Sequence, residues 1–226
     1  MLLKYKTNFL KVQKTARYVT YGTLNAETKY LWICLHGSNM LCEQILYKFR
    51  AFDPQTHFII SAEGLNRFYA KGMQGDVVAS WMTSRDRLME IEDFSEYLSQ
   101  LLHKYSTQVP ATCKKIILGF SQGGTTAFRW LHAKKEPVDH IIAYSCWVPE
   151  DIDLSQSKTD LSTIDLMYTY GLQDIYLSEE RMNVLRSIVE KNNLIFPIHS
   201  YEGGHKIDRK QLKLLFETYI HSPKGK

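Results

Sequence analysis

Three residues carry side chains that together can activate a hydroxyl: Ser121, Asp174 and His205. Ser121 stands in Gly119-Phe120-Ser121-Gln122-Gly123, a G-x-S-x-G segment with the apolar run Ile116-Ile117-Leu118 before it and a helix-compatible stretch after it. A serine between strand and helix sits on a sharp turn that exposes its oxygen, and the flanking glycines leave room for the strained backbone. Its hydroxyl attacks a carbonyl carbon only when a base takes its proton. Imidazole is the usual base, held in the right tautomer by a carboxylate. Asp174 closes Gly171-Leu172-Gln173-Asp174 and His205 closes Tyr201-Glu202-Gly203-Gly204-His205, each just beyond an apolar run. Taken singly, each has a plainer reading: an N-capping serine, a turn aspartate, a surface-loop histidine. Their order, Ser then Asp then His at successive strand exits, favours acyl transfer. Asp160 and Asp165 are less well placed as the acid, and His199 falls inside a strand.

The tetrahedral intermediate of acyl transfer needs two N–H donors for its oxyanion. The residue after the nucleophile, Gln122, supplies the first. An early strand-to-helix loop supplies the second, and His36-Gly37-Ser38 follows the run Tyr30 to Leu35, so the Ser38 amide is the candidate. The other reading of His36-Gly37 is a loop glycine beside a partly buried histidine.

These residues need strand ends to stand on. Tyr30 to Leu35 is an uninterrupted apolar run, and similar runs occupy Thr56 to Ser61, Lys115 to Phe120, His140 to Ser145 and Asp165 to Tyr170, with a last one at about Leu194 to Tyr201. Apolar runs of this length, separated by helix-sized stretches, read as strands buried on both faces of a mainly parallel sheet. Phe9, Val12, Tyr18, Val19 and Tyr21, spaced by polar residues, predict two short antiparallel edge strands within 9–24. Leu88, Ile91, Phe94, Leu98, Leu101, Leu102 and Tyr105 share a helical face after Thr83-x-x-Asp86, and Leu212, Leu215, Phe216, Tyr219 and Ile220 share another after Asp208. Glu150 to Thr163 reads as a long polar surface loop. No repeat or linker divides the chain, so one domain over 1–226 with its core at about 30–220 is expected.

Composition narrows the class. With 44% hydrophobic and 23% charged residues the chain has the balance of a globular protein, not of a disordered one. The net charge of +4 is scattered, with no run beyond pairs such as Lys114-Lys115, which argues against nucleic acid as a partner. No apolar stretch has signal-peptide or membrane-spanning length, so a cytoplasmic protein without stable membrane insertion is expected. Cys34, Cys42, Cys113 and Cys146 show no C-x-x-C spacing and read as free buried thiols. The histidines form no H-E-x-x-H cluster, and neither G-x-G-x-x-G nor a P-loop lysine occurs, so neither a metal site nor a nucleotide cofactor is expected.

Leu35-His36-Gly37, Gly119-Phe120-Ser121-Gln122-Gly123-Gly124, Gly171-x-x-Asp174 and Gly203-Gly204-His205 together resemble the carboxylesterase, phospholipase and acyl-protein thioesterase family of small α/β-hydrolases. The resemblance runs from about residue 30 to 220. It implies an α/β-hydrolase fold, a mainly parallel sheet with antiparallel N-terminal edge strands and helices on both faces. It also implies hydrolysis of carboxylic ester or thioester bonds in a small-molecule ester or acylated substrate, with no cofactor. Two segments depart from the family pattern. Ser38-Asn39-Met40 replaces a glycine-containing loop, and Ser145-Cys146-Trp147-Val148-Pro149 stands where the family has a Ser-Gly motif leading to Leu-Pro, its indole implying a narrower pocket. The segment from Glu63 to Arg87 follows a strand's C-terminal end, where open α/β sheets bind ligands. Phe68, Trp81 and Met82 from it, with Trp147 and the His36-Gly37 turn, are the expected substrate-binding residues; ordinary core packing is the other reading for each aromatic.

Overall fold

The structure, a computed structural model, describes residues 5–221. Strands β1 (Tyr18–Tyr21), β2 (Tyr30–Leu35), β3 (His57–Ala62), β6 (Lys114–Phe120), β7 (His140–Tyr144), β8 (Asp165–Gly171) and β9 (Ile198–Tyr201) form one sheet in the order β1-β3-β2-β6-β7-β8-β9. All neighbours are parallel except β1, which runs antiparallel to β3 at the edge. Strands β4 (Asn66–Lys71) and β5 (Gln74–Ser80) form a separate antiparallel hairpin. The helices are α1 (Cys42–Leu46), α2 (Arg87–Ser106), α3 (Gln122–Ala133), α4 (Glu179–Lys191) and α5 (Arg209–Leu215), the last continued by a π-helical turn at Phe216–His221. No helix among the described residues is long and apolar enough to cross a membrane.

The uniform apolar runs of the strands follow from helices on both faces. Along β2, Leu31, Ile33 and Leu35 pack into one core with Phe94, Leu98 and Leu102 of α2, Phe128 of α3 and Leu185 of α4. The alternate residues Tyr30, Trp32 and Cys34 pack into the other, with Ile45 of α1, Leu212 and Leu215 of α5, and Phe216. Each large side chain buried in this way stabilises the fold by about 1.5–3 kcal/mol, and a strand with only one covered face would alternate apolar with polar residues. All four cysteines are free and buried.

Several boundaries differ from expectation. Of the two edge strands expected in 9–24 only β1 forms, and Phe9 and Val12 lie exposed before it. The last strand starts at Ile198, not Leu194, and Pro197 just before it has no N–H to give a ladder. Helix α2 starts at Arg87, so Leu88 lies in its exposed first turn rather than on the buried face. Asp86 makes no side-chain cap there; the Glu90 carboxylate instead accepts from the Thr83 N–H at 2.6 Å. Short 3₁₀ turns at Leu154–Gln156 and Leu161–Thr163 pin the 150–163 loop through buried Leu154 and Leu161.

One core histidine makes the fold sensitive to acid. His57 stacks on Tyr30 with ring centroids 4.7 Å apart, and its Nδ1 accepts from the Trp32 indole at 3.1 Å, so the neutral ring carries its proton on Nε2. Burial pushes its pKa down from 6.5 to about 4. Between those values the unfolded chain binds a proton that the folded chain excludes. The stability present above pH 6.5 is therefore lost as pH falls, reaching about 3 kcal/mol near pH 4. His36 and His199 are also pushed down by burial and act in the same direction. Melting curves from pH 7 to 4 should therefore fall more steeply for wild type than for His57→Phe, and parallel curves would remove His57 from this role.

Candidate active site

The parallel register brings the C-terminal strand ends to one edge: Leu35 lies beside Gly119, Phe120 beside Tyr144, and Gly171 beside Tyr201. The expected site residues all leave the sheet there. Ser121 follows β6 and caps α3 with φ 52° and ψ −123°, a left-handed conformation that L-residues adopt only when the surroundings enforce it. Its N–H donates to the Tyr144 carbonyl at 2.9 Å. Close approach explains the glycines around it. A Cβ on Gly119 would lie 2.5 Å from the Gly124 Cα, and one on Gly123 would lie 2.1 Å from the Leu35 carbonyl oxygen. Helix α3 thus begins against the exit of β2.

His205 bridges the other two residues. Its Nε2 lies 3.0 Å from Ser121 Oγ and its Nδ1 lies 2.7 Å from Asp174 Oδ2. The Asp174 side chain is fully buried, and its second oxygen accepts from the Tyr176 N–H at 3.0 Å. The loops carrying Asp174 and His205 are tied by backbone bonds from Leu172 N–H to the Tyr201 carbonyl and from Gln173 N–H to the Gly203 carbonyl. The His205 ring packs between Phe120 and Tyr176, at centroid distances of 4.9 and 4.7 Å. Tyr176, two residues past the acid, has no distinctive sequence signal. The competing residues lie elsewhere: Asp160 accepts from the Ser162 N–H, Asp165 begins β8 at its far end, and His199 packs at a tilt against Tyr219.

Beside Ser121, Gln122 offers the first N–H of α3, which has no intrahelical acceptor and lies at the positive end of the helix dipole. Gly37 runs so close to the turn that an added Cβ would meet the Ser121 Cβ at 3.1 Å, which brings the Ser38 loop to the same place. Asn39 holds φ 60°, and the loop is bridged to β5 by Asn39 N–H to the Ala79 carbonyl and Ala79 N–H to the Met40 carbonyl. Three glycine-free residues can thus turn here with one left-handed asparagine.

The residues expected to bind substrate do not share one environment. Phe68 is 44% exposed on the β4–β5 hairpin, and Trp147 is 37% exposed with the Arg181 guanidinium 3.7 Å above its ring. Trp81 and His36 are buried at 1% and 0% exposure, with the Trp81 indole N–H donating to the His36 carbonyl at 2.9 Å. Met82 is buried too, and its carbonyl accepts from the Gln122 carboxamide at 2.7 Å. The sequence does not reveal that side-chain role for Gln122.

Cys42, Glu43 and Glu63 bring ligand-type atoms within 4.8 Å of one another. Arg17 holds this group: its guanidinium pairs with both carboxylates, at 2.7 Å for Glu63, and donates to Cys42 Sγ at 2.9 Å. Burial and the Glu63 carboxylate push the Cys42 thiol well above its usual range.

Curated protein sequences give no match. Among solved structures, acyl-protein thioesterase 2 of Zea mays superposes with a TM-score of 0.68 at 18% identity, over 90% of this chain and 97% of that one. The Bacillus cereus carboxylesterase gives 0.64 at 14% identity, over 89% and 92%. A phospholipase/carboxylesterase of Dyadobacter fermentans gives 0.62 at 17% identity, over 92% and 98%. At these identities the likeness is one of fold, the α/β-hydrolase fold. The phospholipase/carboxylesterase family model matches residues 48–221, from the turn after α1 to the end of the last helix, and the chain therefore belongs to that family of α/β-hydrolases.

Proposed function

We propose that this chain is a single-domain serine hydrolase that cleaves carboxylic esters, with thioesters as the second substrate class, through an acyl-enzyme. The observation that carries the reading is His205 bridging Ser121 and Asp174 at 3.0 and 2.7 Å. Ser121 Oγ attacks the carbonyl carbon while His205 Nε2 takes its proton, and Asp174 stabilises the imidazolium that forms. The N–H groups of Gln122 and Ser38 receive the oxyanion. His205 then protonates the leaving alcohol or thiol, and water releases the acyl group by the reverse sequence of proton transfers. The substrate is a small-molecule ester or an acylated molecule, and this chemistry calls for neither metal nor nucleotide. Phe68 and Trp147, the two expected contacts left with exposed surface, are the candidates for substrate contact.

A fluorophosphonate probe tests the nucleophile. Wild type should be labelled stoichiometrically at Ser121 and Ser121→Ala should not be labelled. Equal labelling of both, or none of wild type, would give way to a family member that has kept the fold and lost catalysis. A panel of p-nitrophenyl esters, acyl thioesters and lysophospholipids then ranks the bond types by kcat/KM.

A further inference from the structure

The two oxyanion amides belong to different elements, Gln122 to the start of α3 and Ser38 to the loop after β2, yet must point at one oxygen. Sites of this kind need placement within about 0.5 Å, and an error of about 1 Å can cost roughly a hundredfold in rate. On the hydrolase reading just given, we infer that the Gln122 carboxamide and the Trp81 indole are positioning residues: they form a strut of side-chain hydrogen bonds that sets the spacing between these amides.

The strut can be followed bond by bond. Gln122 Oε1 accepts from the Trp81 N–H at 2.9 Å and from the Ser80 hydroxyl at 3.0 Å, and Gln122 Nε2 donates to the Met82 carbonyl at 2.7 Å. Both ends of the carboxamide are therefore spent on the backbone leaving β5, and the elbow is fixed to residues 80–82. From there the Trp81 indole Nε1–H donates to the His36 carbonyl at 2.9 Å. His36 continues the line. Its Nε2 accepts from the Gly64 N–H at 2.9 Å, so its Nδ1 carries the proton and donates to the Gly37 carbonyl at 2.7 Å. That carbonyl shares a peptide plane with the Ser38 N–H, and in a trans peptide the two point in opposite directions. Holding the Gly37 oxygen thus aims the Ser38 N–H away from His36.

Burial gives the strut stiffness. Trp81 and His36 are screened from water, so a broken bond leaves an orphaned polar group that no solvent repairs. Arg or Met in place of Gln122 would fill similar volume, but only a carboxamide offers an acceptor for Trp81 and a donor for Met82 from one head group.

The test uses substitutions that keep shape. Trp81→Phe removes the indole N–H and Gln122→Met removes both polar ends. With p-nitrophenyl butyrate each should lower kcat by roughly tenfold to a hundredfold with KM within about twofold. Affinity for a trifluoromethyl ketone, whose adduct with the nucleophile forms an oxyanion, should fall by the same factor, whereas affinity for the matching secondary alcohol should hold. The double variant should lose no more than the worse single one, since both break the same strut. Folded variants with wild-type kcat, equal losses for ketone and alcohol, or losses that multiply in the double variant would overturn the inference. Should Trp81→Phe fail to fold, the half-buried Gln122→Met carries the decision alone. A wild type without turnover or Ser121 labelling sinks the hydrolase reading and the strut with it; an active wild type with equally active variants sinks only the strut.

Discussion

Ser121→Ala, His205→Ala and the double variant are expected to lower kcat toward p-nitrophenyl esters by the same factor, on the order of 10⁶. The expectation comes from how the two side chains are joined. In the proposed mechanism the proton passes across the 3.0 Å between Ser121 Oγ and His205 Nε2, so the two side chains work as one unit. Once one is removed the other does nothing for the reaction, and the second deletion adds no loss. A residual acceleration of about 10³–10⁴ over water should survive in all three, because the oxyanion amides and substrate binding are untouched. Steady-state assays on the three variants, with melting temperatures as a check on folding, decide it. If the double variant loses about the square of the single losses, Ser121 and His205 act independently and the proposed mechanism fails. Loss on Ser121→Ala with full activity in His205→Ala would leave the nucleophile standing and require another base.

Much of the candidate site is legible in the chain because its residues stand at strand exits, and strand exits are easy to read. Apolar runs end abruptly at Phe120, Gly171 and Tyr201, and Ser121, Asp174 and His205 follow within a few residues of those ends. Two buried faces make such runs conspicuous. The β4–β5 hairpin is the opposite case: most of β4 and half of β5 are exposed, so apolar alternation is weak and nothing but the turn residues around Gly72 marks it. The part of the site that went unread depends on that hairpin, since β5 delivers residues 80–82 to Gln122.

Aromatic residues show a second reason. A tryptophan after a strand looks the same in the sequence whether it lines a pocket or fills a core. Trp81 is in the core because its indole N–H finds the carbonyl of His36, 45 residues earlier, and a buried indole needs such a partner. Trp147 stays at the surface, where Arg181 of α4 covers its ring and the Thr125 hydroxyl donates to its carbonyl at 2.7 Å. Periodicity and motif spacing carry no information about bonds of this range. They predict which positions are apolar, and the tertiary fold decides which of those face a ligand.

Asp174→Asn should lower kcat about 10⁴-fold while leaving the fold and KM nearly unchanged. The carboxylate is placed so that an amide cannot substitute for it. One oxygen of Asp174 accepts from the Tyr176 N–H at 3.0 Å, and the other faces His205 Nδ1 at 2.7 Å. In an asparagine the carbonyl oxygen must keep the Tyr176 bond, since an NH₂ there would meet another donor. The NH₂ then faces Nδ1 and can bond it only if Nδ1 is unprotonated. That choice moves the imidazole proton to Nε2, which points a donor at Ser121 Oγ where an acceptor is needed. Asp174→Ala loses the same charge as the amide, and orientation with it, but leaves the tautomer free, so it should retain more activity than the isosteric amide. Comparing the two by kcat tests the tautomer argument directly: Asn below Ala supports it, whereas Asn near wild type would show that Asp174 does not set the state of His205.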